Sequence, residues 1–342
     1  MNMSTDTQQR NIRISLPSKG RLAEDCLDFL EESGLKIYKP NPRQYEASIP
    51  ALPGVTVIFQ RATDIVTSVQ DGSIDFGITG YDVVAESSGE NIDFVIIHNA
   101  MGFGNCSLNL AVPEGWGNVS SVASLIDFAN QLNRPLRIAT KYKNLVTKFF
   151  EPTNLDLQLV SSEGTVEIAP AIGYADMICD VVSSGLTLSD NRLRMIDGGK
   201  ILDSQAVLIA NKNTLLSNTE ALKTARILIE YFEAHLIGKD KLAVFANMRG
   251  DNPHVIAQKI FDSTTIQGLQ GPTISQVIVK NDNQNWFAVN IIVSKSEIYK
   301  AISELRSIGG SGVIVIPVSY VFDEEPPRYR RLLDNLQITD LK

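Results

Sequence analysis

Short strand-like and helix-like segments alternate along the N-terminal part of the chain, and this alternation limits the possible folds more than any other feature. Ile12–Leu16 alternates apolar and polar residues as a strand does, and Leu22–Ser33 carries an apolar stripe at helical spacing. Val55–Gln60, Thr63–Gln70 and Ile74–Thr79 continue the pattern as strand, helix and strand. Because strands separated by helices are typical of mostly parallel sheets, the sequence predicts α/β architecture.

A second set of alternating segments lies between about Leu108 and Asp197. The chain then gives a strand-like run, Ser204–Ala210, and a long helical stretch, Thr219–His235. Because this strand and helix follow the second set, we expect them to rejoin the first. The predicted lobes are a discontinuous lobe I, residues 11–107 and 199–236, and a lobe II, residues 108–198.

After Gly238 the predicted elements follow the order strand, helix, strand, strand, helix, strand. They run from Leu242 to Val318, and this order is the split βαβ arrangement of a compact unit of under about 100 residues. The segment from Asp323, which contains two further acidic residues and two prolines, is expected to wrap the surface. A third domain, residues 238–342, is therefore predicted.

Charge and composition exclude several classes of protein. The formal net charge of −8 argues against a nucleic-acid partner, which needs clustered Lys and Arg. No window approaches the ~18 apolar residues of a membrane-spanning helix, so no membrane partner is predicted. The polar start, Met1–Asn11, lacks an apolar signal core, and we expect a cytoplasmic protein. The three cysteines and three histidines form no cluster, so no metal site built from the protein alone is expected.

The segment from Glu163 to Leu188 carries the clearest chemistry. An apolar strand, Met177–Cys179, runs into Asp180 and then into a loop of small polar residues, Ser183–Thr187. Such a loop offers backbone N–H groups and hydroxyls to an anion, whereas the carboxylate of Asp180 suits the two hydroxyls of a ribose ring. The segment therefore suits a ribose 5-phosphate group. A strand-to-helix connection with a Ser or Thr cap is an equally open interpretation.

Motifs in a fixed order extend over nearly the whole chain, from about Ile12 to Tyr329. The segment above contributes Glu167, Gly173, Ala175, Ile178, Asp180, Ser184, Gly185, Thr187 and Leu188. The other motifs are Lys19–Leu22, Arg61–Ile65, Asp75–Asp82, Phe103–Cys106, Arg137–Thr140, Gly271–Ser275 and Ile308–Gly312. Together they resemble the ATP phosphoribosyltransferase family in its long form, and Ala246–Gly250 is most similar to plant-type members.

The resemblance implies a two-lobed catalytic core like that of periplasmic binding proteins, followed by a regulatory domain with a βαββαβ fold like ferredoxin or ACT domains. It implies a glycosyltransferase (a pentosyltransferase) that joins ATP to 5-phosphoribosyl 1-pyrophosphate in the first step of histidine biosynthesis. An adenine nitrogen attacks the anomeric carbon, and pyrophosphate leaves. Mg²⁺ is the implied cofactor, and it is expected on substrate phosphates rather than in a protein cage.

Positions that match the family motifs take their expected roles from it. The phosphoribosyl pyrophosphate site is expected to comprise Glu163, Glu167, Asp180, Val181, Ser183, Ser184, Gly185, Leu186 and Thr187. The ATP site is expected to comprise Lys19, Gly20, Arg21, Arg61, Gly80 and Asp82. The expected catalytic residues are Arg21, Arg61 and Asp180.

Several of these roles have open alternatives. One of the two glutamates could only brace the loop, the three cations could form surface ion pairs, and Asp82 could cap a helix. The side chain of Leu186 is expected to pack while its amide binds phosphate.

The last domain resembles a module that binds histidine, the end product of the pathway, and inhibits the enzyme allosterically. Thr273 is expected to bind the effector, and Gly310 is expected to offer its amide to the effector carboxylate. Ordinary turns are the alternative at both positions. The resemblance also implies a homo-oligomer, from a dimer to a hexamer.

Two other functions remain open from the sequence. One is a non-catalytic, two-lobed sensor of a phosphoribosyl or amino-acid ligand, and the other is a phosphoribosyltransferase that acts on another base. A sensor would not need an acidic ribose site and a cationic nucleotide side together, which favours the enzyme.

Overall fold

The computed structural model describes residues 11–41, 43–89, 92–162, 164–263, 271–278 and 285–338. The chain divides into two compact units, one with residues up to Ile229 and from Pro327, and the other with Glu230–Pro326. The first unit contains two mixed sheets flanked by helices, and the second contains one antiparallel sheet. The predicted α/β fold class is thereby confirmed. Within the described part of the chain, no helix combines the length and apolar character needed to span a bilayer.

Lobe I of the first unit is built on a six-stranded sheet. In spatial order the strands are β2 (Glu46–Ser48), β3 (Val55–Gln60), β1 (Ile12–Pro17), β4 (Phe76–Gly80), β11 (Ala206–Asn211) and β5 (Phe94–His98). β1 runs parallel to β3 and β4, whereas β11 runs antiparallel to β4 and β5. The helices that begin in this lobe are α1 (Arg21–Glu32), α2 (Ala62–Gln70), α3 (Tyr81–Ser87), α8 (Lys212–Ser217) and α9 (Thr219–Lys239).

Lobe II is built on a five-stranded sheet. In spatial order the strands are β10 (Leu193–Ser204), β6 (Cys106–Pro113), β9 (Met177–Val182), β7 (Leu136–Thr140) and β8 (Leu157–Ser161). β7 runs parallel to β8 and β9, and β6 runs antiparallel to β9 and β10. The helices are α4 (Val122–Asn130), α5 (Lys143–Phe150), α6 (Ala169–Ile172) and α7 (Leu186–Asp190), with short 3-10 helices at Glu151–Thr153 and Val166–Ile168.

The chain passes between the two lobe sheets after β5 and again at Gln205. β10 pairs with β6 as far as the pair Ser204 and Cys106, and β11 starts at Ala206 in the other sheet. The prediction of one strand over Ser204–Ala210 is therefore wrong, because the chain leaves one sheet for the other at Gln205. The predicted lobe boundaries at residues 107 and 199 are corrected by the same pairing: residues 106–107 and 199–204 belong to the sheet of lobe II.

The second unit has the order of elements expected for a βαββαβ fold. These are β12 (Lys241–Arg249), α10 (Pro253–Ser263), β13 (Thr273–Val277), β14 (Trp286–Ser294), a 3-10 helix (Lys295–Glu297), α11 (Ile298–Ser307) and β15 (Ser311–Pro317). The strands lie in the order β13-β14-β12-β15 with antiparallel pairing. Alternate residues of β14 are buried, as the period of two in its sequence predicts.

The last described helix, α12 (Pro327–Leu336), belongs to the first unit. Its buried face consists of Tyr329, Leu332, Leu333 and Leu336. The predicted third domain, residues 238–342, is therefore corrected to Glu230–Pro326. An amphipathic helix, which buries an apolar stripe, stands where a surface-wrapping tail was expected.

Candidate active site

The predicted donor residues gather at one edge of the lobe II sheet. The parallel strands β7, β8 and β9 all end at this edge, where ligands of open α/β sheets bind. The segment after β8 contains Glu167 in the 3-10 helix Val166–Ile168. The segment after β9, Ser183–Thr187, consists of a short loop and the first two residues of α7. Glu163, also predicted for this site, lies outside the described residues. The site is therefore assembled from the connections that follow β8 and β9, the two strands on either side of β7.

The loop after β9 is open to solvent. The side chains of Ser183, Ser184 and Thr187 are exposed, and Gly185 adopts a φ of 76°, a left-handed conformation that favours glycine. Gly185 is the residue that precedes α7, and no described side chain caps this helix, so the hydroxyls are not used as caps. Leu186 is 68% exposed, which corrects the expectation that its side chain packs. The loop thus presents hydroxyls and first-turn amides outward.

Asp180 lies at the mouth of this loop in a charged environment. Its carboxylate accepts a hydrogen bond from the N–H of Val181 at 2.9 Å. Burial raises the pKa of Asp180, and the nearby carboxylates of Glu167 and Asp82 raise it further. The N–H of Val181 and the charge of Lys141 lower this pKa. The net pKa of Asp180 is raised. A cation or a set of hydroxyl donors at this position would relieve the repulsion among the three carboxylates.

The predicted cations gather at the corresponding edge of lobe I. Lys19–Arg21 follows β1, Arg61 follows β3, and Gly80 ends β4; β3, β1 and β4 are adjacent and run parallel. The side chains of Lys19, Arg21 and Arg61 are exposed. Arg21 Nε lies 3.5 Å from Asp25, one helical turn away, and the Arg21 side chain is 71% exposed. This edge is therefore positive and open to an anionic ligand.

Asp82 joins the two edges rather than facing a ligand. Its carboxylate oxygen Oδ2 accepts a hydrogen bond from the phenol of Tyr142 at 2.6 Å, and Oδ1 accepts one from the hydroxyl of Ser204 at 2.7 Å. The N–H of Asp82 donates to Ser204 Oγ at 2.9 Å. Asp82 is 6% exposed. We name this set the Asp82 cluster; it connects α3 of lobe I with the ends of β7 and β10 of lobe II.

Asp82 does not cap α3, because the residue that precedes this helix is Gly80. A methyl group at Gly80 would overlap Oδ1 of Asp82, so the glycine is needed for close approach. Burial, with the neighbouring Asp82 carboxylate, raises the pKa of the Tyr142 phenol. The phenol therefore stays protonated and acts as a donor.

A second contact between the lobes involves Glu86 of α3. Its carboxylate accepts hydrogen bonds from the N–H groups of Asn144 and Leu145 at 2.9 and 3.0 Å. These are first-turn amides of α5, where a negative charge is stabilising. Two carboxylates of α3 therefore hold the segment from Tyr142 to Leu145.

Sequence reasoning missed Lys141, Tyr142, Glu86 and Ser204. Lys141 and Tyr142 directly follow Arg137–Thr140, a segment that resembles the family, so extending that motif by two residues would have found them. Glu86 and Ser204 carry no local signal. Ser204 is 122 residues from its partner Asp82, and only the fold brings the two together.

A group of ion pairs at the opposite edge of the lobe II sheet stabilises the fold. Asp176, just before β9, accepts hydrogen bonds from Arg134 at 2.6 and 2.9 Å and from Arg137 at 2.8 and 3.3 Å. Burial alone would raise the pKa of Asp176, but these arginines lower it to well below its usual range. The group ties the starts of β7 and β9 together.

No group of three or more His, Cys, Asp or Glu suited to a metal ion occurs among the described residues.

Fold and site together define a two-lobed α/β enzyme for two phosphorylated substrates: an acidic, hydroxyl-rich edge suits a sugar phosphate, and a cationic edge suits a nucleotide. A family model described as "ATP phosphoribosyltransferase" matches residues 61–231, and one described as "HisG, C-terminal domain" matches residues 239–320. The chain belongs to the ATP phosphoribosyltransferase family, as its motifs predicted. Membership favours the enzyme over the non-catalytic sensor and over an enzyme for another base.

Two relatives in sequence support this assignment over most of the chain. ATP phosphoribosyltransferase 2, chloroplastic, of Arabidopsis thaliana is 43% identical over 96% of this chain and 81% of its own length. The Methanocaldococcus jannaschii ATP phosphoribosyltransferase is 34% identical over 91% of this chain and 99% of its own. Among solved structures, a chain of the ATP phosphoribosyl transferase (HisG:HisZ) complex from Thermotoga maritima is 23% identical, with a TM-score of 0.49 over 65% of this chain and 96% of that one. The predicted plant-like character agrees with the Arabidopsis relative.

Proposed function

We propose that the two facing edges perform the family's reaction, in which ATP and 5-phosphoribosyl 1-pyrophosphate give phosphoribosyl-ATP and pyrophosphate. The observation that carries this proposal is the Asp82 cluster, which sets the donor edge of lobe II against the cationic edge of lobe I. Two substrates held on opposite edges would meet between the lobes. Catalysis would then depend on positioning the two substrates and on electrostatic stabilisation of the positive charge that develops on the ribose ring in the transition state.

The donor half of the active site, which binds phosphoribosyl pyrophosphate, is proposed to lie on the segment after β9. The hydroxyls of Ser183, Ser184 and Thr187, with the amides of Gly185 and Leu186, would hold the 5-phosphate. Their exposure supports this role, since none of them is buried in the core.

Asp180 is proposed to accept hydrogen bonds from the ribose hydroxyls, and Val181, whose N–H fixes one of the Asp180 oxygens, would orient it. Because a raised pKa makes Asp180 a more basic acceptor, burial strengthens this contact. The ionised form also places negative charge beside the ring on which positive charge develops.

The acceptor half is proposed to use Lys19, Arg21 and Arg61 for the ATP phosphates, with Gly20 and Gly80 allowing close approach. Arg suits this task because its planar group makes paired contacts with phosphate oxygens. Arg21 and Arg61 would also counter the charge of the departing pyrophosphate and are therefore proposed as catalytic. Asp82 would act on ATP only indirectly, by holding the lobes in register.

Mg²⁺ is proposed to bind with the pyrophosphate, and Glu167 with Asp180 would face it. The mutual repulsion of these carboxylates supports the fit, since it makes a divalent cation favourable there. Bound Mg²⁺ would neutralise the leaving group. Turnover that persists in full after chelation of divalent ions would contradict this part of the proposal.

The test of the reaction mixes protein, ATP, magnesium and the pyrophosphate donor with pyrophosphatase, and follows the absorbance of the modified adenine. Asp180→Ala and Thr187→Ala are expected to lower kcat/KM for the donor strongly. Ser189→Ala, an exposed hydroxyl in the same helix, is the matched control and should resemble the wild type. Wild-type kinetics in both donor-site variants would show that this loop is not the donor site.

Feedback inhibition by histidine is proposed for the second unit, but in a form different from the sequence expectation. The N–H of Gly310 donates to the carbonyl of Leu305 at 2.8 Å, and the N–H of Gly309 donates to Arg306 at 3.1 Å. These bonds close the end of α11 as a Schellman motif does. The predicted use of the Gly310 amide for the effector carboxylate is therefore wrong.

Thr273 remains a candidate for the effector, but it stands far from Gly310. β13 and β15 are the two edges of the four-stranded sheet, three strand spacings or about 14 Å apart. One histidine cannot reach both edges within a single copy. We expect Thr273→Ala to raise the histidine concentration for half-inhibition, whereas Gln276→Ala, on the same strand, should not. Equal inhibition of both variants would place the effector elsewhere.

A homo-oligomer, from dimer to hexamer, is proposed because β15 leaves an apolar edge uncovered. Ile314 and Ile316 are 59% and 49% exposed. Sedimentation at several concentrations tests this, and a persistent monomer would contradict it.

The cytoplasmic location stays a prediction, since the Arabidopsis relatives are described as chloroplastic.

A further inference from the structure

A cavity of about 520 Å³ lies in the first unit. Its walls come from α12, from the edge strand β5, from the start of α3 and from the crossing between β10 and β11. None of the residues assigned above to the two substrates lines it. The volume is within the range of about 300–1,000 Å³ that small-molecule sites occupy.

The charge of this cavity comes from two arginines of α12. Arg328 and Arg331 both line it, and Arg328 Nη2 donates to Asn99 Oδ1 at 3.2 Å, which orients the guanidinium. The acidic lining residue, Asp203, is paired with Lys200 at 2.9 and 3.1 Å. Both guanidinium groups therefore bring positive charge to the lining of the cavity.

Apolar and neutral polar groups complete the wall. Ile96, which is 38% exposed, and Leu332 offer apolar surface, while Asn335 adds an amide. A cationic pair beside an apolar surface matches a small molecule with an anionic head and an apolar body.

We propose that this cavity binds a small organic anion whose carboxylate or phosphate meets Arg328 and Arg331. The site would act on the lobes because Gln205, the residue between β10 and β11, also lines it. The carbonyl of Gln205 accepts the N–H of Tyr81 at 2.9 Å, and its side chain accepts the N–H of Gly102 at 3.3 Å. Tyr81 lines the cavity and precedes Asp82. An occupant that contacts this crossing would alter the relative position of the two substrate edges, and ATP and the anion would change each other's affinity.

Direct binding to the full chain tests the site. The probes are benzoate, phenyl phosphate and the neutral benzamide, measured by ligand-observed NMR and calorimetry. Benzoate or phenyl phosphate should bind more tightly than benzamide; whichever anion binds identifies the preferred head group. Arg331→Gln should weaken that anion about tenfold, because it removes a charged hydrogen-bond donor. Arg330→Gln, which removes the same charge from the same helix outside the cavity, is the matched control. Ile96→Glu, which adds a negative charge to the cavity wall, should also weaken binding of the anion.

Equal binding of anions and benzamide, or equal loss in Arg331→Gln and Arg330→Gln, would overturn the proposal. Coupling to the lobes is read from KM for ATP, which should change with the bound anion in the wild type and not in Arg331→Gln. An unchanged KM with the anion bound would refute the coupling. The binding of the anion does not rest on the proposed reaction, because binding is measured without turnover. The coupling to ATP does rest on that reaction.

Discussion

Removal of the Tyr142 hydroxyl tests the contact between the lobes with little change in volume. Tyr142 is 7% exposed and Asp82 6% exposed, and the hydrogen bond between them measures 2.6 Å. A hydrogen bond to a charged group contributes about 1.5–3 kcal/mol, and a buried oxygen that loses its donor also loses the compensation for its desolvation. Tyr142→Phe should therefore lower the free energy of unfolding of the first unit by about 2 kcal/mol.

Urea denaturation followed by circular dichroism measures this change, with the midpoint shifted and the m-value unchanged. Tyr174→Phe is the matched control, because the Tyr174 hydroxyl lies 3.4 Å from Ser162 in an exposed position. Tyr174→Phe should lower the free energy of unfolding by less than about 0.5 kcal/mol. Since the contact holds the lobes together, kcat/KM for both substrates should fall in Tyr142→Phe and not in Tyr174→Phe.

A double-mutant cycle decides whether the cluster acts as a unit. Tyr142 and Ser204 donate to the same carboxylate of Asp82, so their effects should be non-additive by at least about 0.5 kcal/mol. If Tyr142→Phe costs no more than Tyr174→Phe, the phenol does not hold Asp82. The earlier interpretation, in which Asp82 faces ATP, would then be restored.

Three further predictions concern Asp180, Asp176 and Gly80. Lys141→Met should raise the pKa of Asp180 further, because Lys141 lowers it, so the acidic limb of kcat/KM for the donor should move to higher pH; an unmoved limb would contradict the assignment. Asp176→Asn should lower the free energy of unfolding by about 2 kcal/mol at neutral pH. Because the folded pKa of Asp176 is lowered, this stabilisation is complete above about pH 4 and is lost as pH falls through the folded value. Urea midpoints against pH should differ between the variant and the wild type at neutral pH and converge in acid. Gly80→Ala should destabilise by about 1–3 kcal/mol, since the new methyl group meets the fixed carboxylate of Asp82; a wild-type midpoint in thermal unfolding would show that the carboxylate can move.

Local periodicity predicted most elements to within about two residues, because it records which face of each segment is buried. The helix predicted at Leu22–Ser33 is Arg21–Glu32 in the structure. The failures have different causes. β10 contains charged residues and two adjacent glycines, and its pairing with β6 shifts register, so its sequence shows no regular alternation. Pro326 and Pro327 suggested a loop, although proline fits the first position of a helix and Pro327 is the first residue of α12.

Most of the proposed donor site could be assembled from the sequence, because Asp180 and Ser183–Thr187 lie on one strand and the segment that follows it. The acceptor half is different, since Lys19, Arg21 and Arg61 share an edge only because β1 and β3 run parallel. Sequence spacing cannot supply that proximity, and a motif borrowed from the family was needed.

Asp82 shows why a motif alone does not assign a role. Its position after β4 made it a candidate for orienting ATP, yet Tyr142 and Ser204 occupy both of its carboxylate oxygens. A buried carboxylate with two strong donors is poorly suited to exchange them for a ligand, because each lost donor leaves an uncompensated oxygen. In the proposed assignment, discrimination among acceptors comes from groups that remain exposed on the lobe I edge, and Asp82 contributes by fixing where that edge meets Asp180.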